Sequence, residues 1–332
     1  MKKVLFLTAA LLGGLLAAAP ALAQNPRLGY VPTEDHPVGQ ASRFFAERVA
    51  EKTNGRITIE TFGNGVLGSE PDMQASVQAG FIDIMVGPTP NLVGVVPQFM
   101  IYDLPFFYKD FAAVDAVMDG AVGEQLFAQL KEKTGIVGLA WWDNGFRHMT
   151  NKIRPVNTAE DMAGINIRVI PNPLFIATWT ALGTNPTPLP WPELYSALEN
   201  GAVDGQETPY ALIYTAKLYE VQSHLAKTGH VYTPFVLLAS QKWFGSLSEE
   251  DKAIVMEAAK ESAAFQRELS RKAAESLEAE LEAKGFKITR PTPEALAAMS
   301  ERVAPVVKEY SEKIGVDLVE KARADMASVA KP

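Results

Sequence analysis

Residues 57–86 read ITIETFGNGVLGSEPDMQASVQAGFIDIMV, and the order of patterns within them decides the fold class. Residues 57–62 alternate apolar and polar side chains, the period of a half-buried strand. Ser69-Glu70-Pro71-Asp72 has the make-up of a helix start: an oxygen-bearing cap, proline in the first turn and an acid three residues after the cap. Residues 81–86 are strand again. Upstream, residues 28–31 are a short apolar strand and residues 32–37 a loop. The helix that follows puts Phe44, Phe45, Val49 and Ala50 on one face and Arg43, Glu47, Arg48, Glu51 and Lys52 on the other, and stops at Asn54-Gly55. Strand–helix–strand–helix–strand implies parallel pairing and an α/β unit.

A second unit begins near Trp142. Residues 165–170 form its first clear strand, after a helix capped at Thr158 with Asp161. Residues 174–182 and 193–199 are helical. Residues 185–192 carry four prolines and read as extended loop. Residues 231–238 look like a strand returning to the first unit. From 248 to 284 there is neither proline nor glycine, and at about 1.5 Å per residue a helix here exceeds 50 Å. No heptad is sustained, so a single helix laid across both units is expected rather than a coiled coil. The boundaries expected are lobe I over 24–145 plus about 234–273, and lobe II over 146–233 plus about 274–332.

The first 23 residues belong to neither lobe. Lys2 and Lys3, the apolar run 4–19 and the small-x-small site Ala21-Leu22-Ala23 are the ordered parts of a secretory signal peptide. No later stretch approaches the ~18 uninterrupted apolar residues of a spanning helix, so a soluble exported chain is expected. Without the leader, 29 basic residues face 39 acidic ones. An acidic chain with no basic run is a poor partner for nucleic acid. No cysteine is present, which excludes disulfides, thiol nucleophiles and thiolate metal sites.

The most conspicuous motif points the wrong way. Gly63-Asn64-Gly65-Val66-Leu67-Gly68 matches G-x-G-x-x-G between strand and helix, with Asp83 twenty residues on. The helix start that follows carries Glu70 and Asp72, carboxylates where a pyrophosphate would dock. A tight glycine turn is the better reading. The four histidines, His36, His148, His224 and His230, have no metal-ligand spacing, and no G-x-S-x-G elbow occurs. Carboxylate pairs such as Glu199 and Asp204 leave a secreted carbohydrate hydrolase as an alternative.

Arg168 interrupts the apolar strand Ile167-Arg168-Val169-Ile170. A buried guanidinium requires a partner, and two stand open: an internal carboxylate, or the carboxylate of a bound ligand held by paired hydrogen bonds. Arg147 follows a glycine turn and taken alone is a surface charge. Trp191 sits in a proline-braced loop that holds an aromatic wall at low entropic cost.

Seven ordered segments carry a resemblance: residues 53–57, 65–68, 103–107, 142–147, 164–169, 193–198 and 203–207. Over about residues 29–243 the chain resembles the extracytoplasmic solute receptors of tripartite ATP-independent periplasmic (TRAP) transporters. The resemblance implies a two-lobed periplasmic binding protein fold with crossing strands and a long C-terminal helix spanning both lobes. It implies that Arg168 is the main carboxylate partner, Arg147 a second cationic contact and Trp191 the aromatic beside them. The turn Gln206-Glu207-Thr208 joins the ligand site, with Thr208 where the family often has asparagine. His230 falls near the hinge, and His36 and Asn91 face the cleft from the other lobe. The implied protein is a periplasmic monomer without cofactor or metal, not an enzyme, serving the membrane subunits of a TRAP transporter. Its ligand is a sugar acid, a C4-dicarboxylate or a 2-oxo acid. An ABC-type binding protein is the other transport alternative.

Overall fold

Two mixed sheets, joined by strands that cross between them, organise the chain. The structure is a computed structural model that describes residues 25–330; the expected signal peptide lies outside the described residues. The first unit runs β1 (Arg27–Gly29), α1 (Pro37–Lys52), β2 (Glu60–Phe62), α2 (Glu70–Ala79), β3 (Ile84–Pro88), α3 (Phe111–Met118), α4 (Ala121–Thr134) and β4 (Val137–Phe146). The second runs β5 (His148–Asn151), β6 (Asn166–Val169), α5 (Pro173–Ala181), β7 (Asn185–Pro188), α6 (Leu194–Glu199), β8 (Gly205–Thr208), α7 (Tyr210–Thr215) and β9 (His224–Ala226). The chain then returns as β10 (Tyr232–Ala239) and α8 (Gln241–Ser246), and ends with α9 (Glu249–Ala283), β11 (Lys287–Thr289), α10 (Pro293–Ile314) and α11 (Val316–Val329).

The first sheet has the order β2-β1-β3-β10-β4 and the second β11-β9-β5-β8-β6-β7. Parallel pairing holds among β1, β2 and β3, as the strand–helix alternation requires, but the returning β10 is antiparallel to both β3 and β4. Leu28, Ile84, Val86, Phe235 and Leu237 enter one core, while Met85, Val236 and Leu238 enter another. Period-2 side chains thus feed two cores because both faces of the sheet are covered.

Arg147 alone separates β4 in the first sheet from β5 in the second, and residues 227–231 carry the chain back. The two crossings are bonded to each other: the Arg147 amide donates to the Val231 carbonyl at 2.8 Å. The Phe106 amide donates to the His230 carbonyl at 2.7 Å, adding a third strap to this hinge.

Four expectations need correction. The segment read as a helix after Thr158 is a single 3-10 turn, Glu160–Met162. Its acid, Asp161, accepts from the amides of Asn157 and Thr158 at 2.8 and 3.0 Å, so it closes a turn instead of opening a helix. The proline stretch is not all loop: Asn185–Pro188 is β7, parallel to β6 at the sheet edge, where proline is tolerated because a missing donor costs nothing. The second unit does not begin near Trp142, since β4 stays in the first sheet to Phe146. Finally, α11 packs on α3 of the first unit, and Leu318, Val319 and Ala322 lie in its core, so the C-terminal boundary near 273 does not assign everything after it to lobe II.

The long helix behaves as expected. Val255, Ala258 and Ala259 of α9 enter a first-unit core, whereas Leu277 and Leu281 enter the core of the second. Its middle also closes the open edge of β4. The Gln266 side chain accepts from the Asp143 amide at 2.7 Å and donates to the Asp143 carbonyl at 2.7 Å. Arg271 donates to the Asp143 carboxylate at 2.7 Å, and Tyr232 donates to the same group. An unpaired edge strand exposes donors and acceptors that need partners, and here one helical amide supplies both. Gln266→Leu keeps the volume but strands the Asp143 amide in a buried site. It should lower the unfolding free energy by about 2 kcal/mol, read from urea denaturation with an unchanged m-value.

Candidate functional site

The parallel strands of both sheets aim their carboxyl ends at one cleft, where α/β sheets place ligands. After β1 comes Pro32, after β2 Glu70, and after β3 Asn91; from the second sheet come Ile170 after β6, Trp191 after β7 and Thr208 at the end of β8. All six line one space of about 480 Å³ between atoms, its open mouth included.

Arg168 is the third residue of β6 and is 2% exposed. Its Nε donates to the Leu189 carbonyl at 2.8 Å, which fixes the plane of the guanidinium. Its Nη1 is buried with no hydrogen-bond partner, and among the described residues Arg168 forms no ion pair. The Trp191 ring lies 5.8 Å from the guanidinium carbon, within range of a cation–π contact. Burial pushes the Arg168 pKa down to about 10, partly countered by Glu207, so it stays charged at neutral pH. Of the two partners the sequence allowed, the internal carboxylate is absent among the described residues.

Arg147 differs from Arg168 in its pairing, not in its burial. It is buried, not a surface charge, and it is fully paired on one side. Nε donates to Glu207 Oε2 at 2.5 Å, and Nη2 donates to Oε1 at 2.8 Å and to the Glu207 carbonyl at 2.7 Å. Arg147 lines the cleft but presents only Nη1 outside these bonds. Glu207 therefore does not line the cleft as expected: its carboxylate sits behind Arg147. Burial alone would raise the Glu207 pKa, but the Arg147 charge and the bonds from His230 and Arg147 outweigh it and hold the group below the carboxylate range. His230 Nε2 is 3.2 Å from Glu207 and Nδ1 is 2.8 Å from the Thr228 hydroxyl, and burial lowers its pKa despite Glu207. A neutral ring donating to Glu207 and accepting from Thr228 satisfies both contacts.

His36 is also off the wall. It caps α1, its Nδ1 accepting from the Val38 amide at 3.1 Å. It lies behind Phe235, ring edge to ring face at 6.2 Å, and Phe235 rather than His36 forms the cleft surface. Burial drives the His36 pKa down to about 3. Asn91 and Thr208 do face the cleft, and the Thr208 hydroxyl is buried without a partner. Two polar residues of the wall were missed. Asn144 lines the cleft with its side-chain oxygen unpartnered, and Glu70 lines it from the first turn of α2. Both stand in segments already singled out, and the common direction of β1, β2 and β3 was the signal that could have found Glu70.

The glycine motif is a turn. Gly65 and Gly68 have φ of 66° and 115°, and Ser69 and Asp72 fill the start of α2 with a reciprocal capping box. Asp83 accepts from the Arg27 amide at 2.9 Å, so it has a structural partner. Among the described residues no cluster of histidine, aspartate and glutamate is arranged to hold a metal ion.

One further contact joins the units beside the hinge. Asp103, at the end of the 3-10 turn Pro97–Asp103, accepts from Asn172 at 2.7 Å, and Asn172 caps α5. Burial raises the Asp103 pKa to about 8, against the lowering effect of Asn172 and Arg147.

The sequence pattern of DctP, "Bacterial extracellular solute-binding protein, family 7", matches residues 28–313. The sugar acid binding protein DctPAm of Advenella mimigardefordensis, solved in complex with galactonate, is 38% identical, with a TM-score of 0.91 over 93% of this chain and 99% of that one. A TRAP periplasmic solute binding protein of Polaromonas sp. JS666, bound to D-erythronate, is 34% identical, with a TM-score of 0.88 over 91% and 98%. The 2,3-diketo-L-gulonate-binding periplasmic protein of Escherichia coli (strain K12) is 34% identical over 74% of this chain and 75% of its own length.

Two outcomes follow from the buried charges. Glu207→Gln removes the anion between Arg147 and His230 and should cost about 3–5 kcal/mol of stability, measured by denaturant unfolding. The pH dependence has two limbs. Folded Asp103 keeps its proton up to about pH 8 whereas an unfolded aspartate releases it near 3.8, so its contribution is lost as pH rises through 8. His36 and His148, both lowered from 6.5 to about 3 by burial, act in the opposite sense: the unfolded chain takes up protons first, and stability falls as pH drops from 6.5 toward 3. Asp103→Asn should remove the loss between pH 6.5 and 8, about 1–2 kcal/mol, and leave the acid limb in place, as read from melting curves across that range.

Proposed function

The chain belongs to the bacterial extracellular solute-binding proteins of family 7, receptors of TRAP transporters, and from that membership we propose that it captures a sugar acid, an aldonate or uronate, by clamping the ligand carboxylate on Arg168. The observation that carries the reading is the Arg168 guanidinium, buried in the cleft wall with Nη1 unpartnered. A buried cation is costly until an anion meets it, and the free edge of this fork suits the two oxygens of a carboxylate. The bond to Leu189 supports it by holding the fork still before the ligand arrives, which lowers the ordering cost of binding. Trp191 closes one side, and Arg147 Nη1 with the Thr208 hydroxyl and Asn144 offers further polar contacts around the same end.

Sugar acids are favoured over the dicarboxylates and 2-oxo acids because, beside the one unpaired guanidinium, the wall carries the unpartnered Thr208 hydroxyl and Asn144 side-chain oxygen. The galactonate and erythronate of the similar structures are acids of this kind. The ligand touches both units, so its binding draws them together about the crossings at Arg147 and residues 227–231, the usual response of such a hinge. The closed, loaded form is what the membrane subunits of the transporter receive. We place the protein in the periplasm as a monomer; among the described residues no helix is long and apolar enough to cross a membrane. The reading includes no turnover, and no cofactor or metal.

Titration calorimetry against a panel of aldonates, uronates and C4-dicarboxylates tests it. Arg168→Ala should weaken the best ligand at least about 100-fold, within the 2–5 kcal/mol of losing one partner of a buried charge pair. Its apo melting temperature should stay close to that of the unsubstituted protein, because no protein carboxylate is left behind. Arg168→Lys should also bind poorly, since an ammonium offers no fork. Near-normal affinity in Arg168→Ala would remove this arginine from the site.

A further inference from the structure

Glu70 faces the same space as Arg168 from the opposite unit. It opens α2 and is followed by Pro71, which holds the backbone of the turn. The residue is 6% exposed, yet its carboxylate has no side-chain hydrogen bond and no ion pair among the described residues; its one bond is to its own amide. Helix capping does not explain it, because Ser69 and Asp72 already complete the capping box. The wall it shares also carries Pro32, Pro71 and Pro88, none of which has a donor. Burial raises its pKa while Arg168, across the cleft, lowers it.

The cleft is therefore polarised, with a cation short of a partner on the second unit and, on the first, an anion whose one bond is to its own amide. Each lacks what the other end of a bound molecule can bring. We propose that Glu70 is the specificity residue for the end of the ligand remote from its carboxylate, accepting hydrogen bonds from hydroxyl groups there and excluding a second carboxylate, so that the ligand is a polyhydroxylated monocarboxylate of the aldonate class. This rests on the carboxylate clamp at Arg168. Hydroxyl donors stabilise the buried Glu70 anion and leave it charged. A dicarboxylate would set a second anion against it, and the other cation on the wall, Arg147, is already neutralised by Glu207. A site built around a buried acceptor rejects an analogue lacking the donor far more strongly than an apolar pocket does.

The experiment uses acids of equal length that differ at one end only: galactonate with galactarate, and gluconate with glucarate. Calorimetry on the unsubstituted protein should show the better aldonate bound at least about 100-fold more tightly than its dicarboxylate counterpart. Glu70→Gln should lower that ratio by about 10-fold or more, weakening the aldonate and admitting the dicarboxylate. Glu70→Asp retracts the charge without removing it, so it should weaken the aldonate while still rejecting the dicarboxylate. A ratio unchanged in Glu70→Gln, a preference of the unsubstituted protein for the dicarboxylate, or tighter binding of 6-aminohexanoate than of either aldonate would overturn the assignment while leaving the receptor reading intact. Binding of none of these carboxylates, and of no uronate, other aldonate or C4-dicarboxylate of the wider panel, would instead overturn the clamp at Arg168 and this inference with it.

Discussion

Two guanidinium groups are buried at the base of the cleft, and one of them alone is bonded to a buried carboxylate, Glu207. Glu207 is bound at both oxygens by Arg147 and touched by His230, and it forms no ion pair with Arg168. A buried charge without its counterpart is unstable in a closed interior, and the molecule tolerates this one because the guanidinium borders a cleft. An unpaired cation in that position is what the clamp proposed at Arg168 rests on. The difference in pairing explains why the arginines, alike in burial, have unlike duties. Arg147 is bonded into the hinge, and Arg168 is presented to the cleft.

The hinge depends on the same cluster. Arg147 is the residue at which the chain leaves the first sheet for the second, and its amide is tied to the returning strand at Val231. Its side chain grips β8 through Glu207, and β8 pairs with β5. Asp103 and Asn172 add a contact between the units close by. Two helices then straddle the crossing. The start of α9 packs in the first unit and its end in the second. Met299 and Val303 of α10 lie in a second-unit core, with Tyr310 and Ile314 in the first. Crossings and straddling helices join the two units, the arrangement on which the closure proposed above depends.

Much of this was legible in one dimension. The alternation at residues 57–62 and 81–86 and the capping residues Ser69 and Asp72 report local physics, and each appears at that place or within a few residues of it. The 35-residue α9 was legible for the same reason: no residue in it breaks a helix. Local rules failed where a neighbour distant in sequence supplied the missing partner. Proline argued against a strand at residues 185–188, but β6 offered an edge where the lost donor is harmless. Thr158 and Asp161 matched a cap without enough helix to follow. The last helix gave no hint of which unit it would join, because an amphipathic face specifies burial and not the surface that buries it.

The candidate site divides along the same line. A guanidinium inside an apolar strand is visible in the sequence as an anomaly, and the seven ordered segments attached that anomaly to a family of carboxylate receptors. The sequence by itself determined the α/β class, the crossing strands, the long helix and Arg168 as the residue to watch, since each depends on residue type and spacing along the chain. Only the tertiary structure decided that Arg147 spends its charge on Glu207, that Phe235 stands between His36 and the cleft, and that Glu70 faces Arg168 from the other unit. Pairing of charges and exposure to a cleft are properties of residues 60 or more positions apart that the fold brings to one place, and nothing in the local sequence encodes which of them meet.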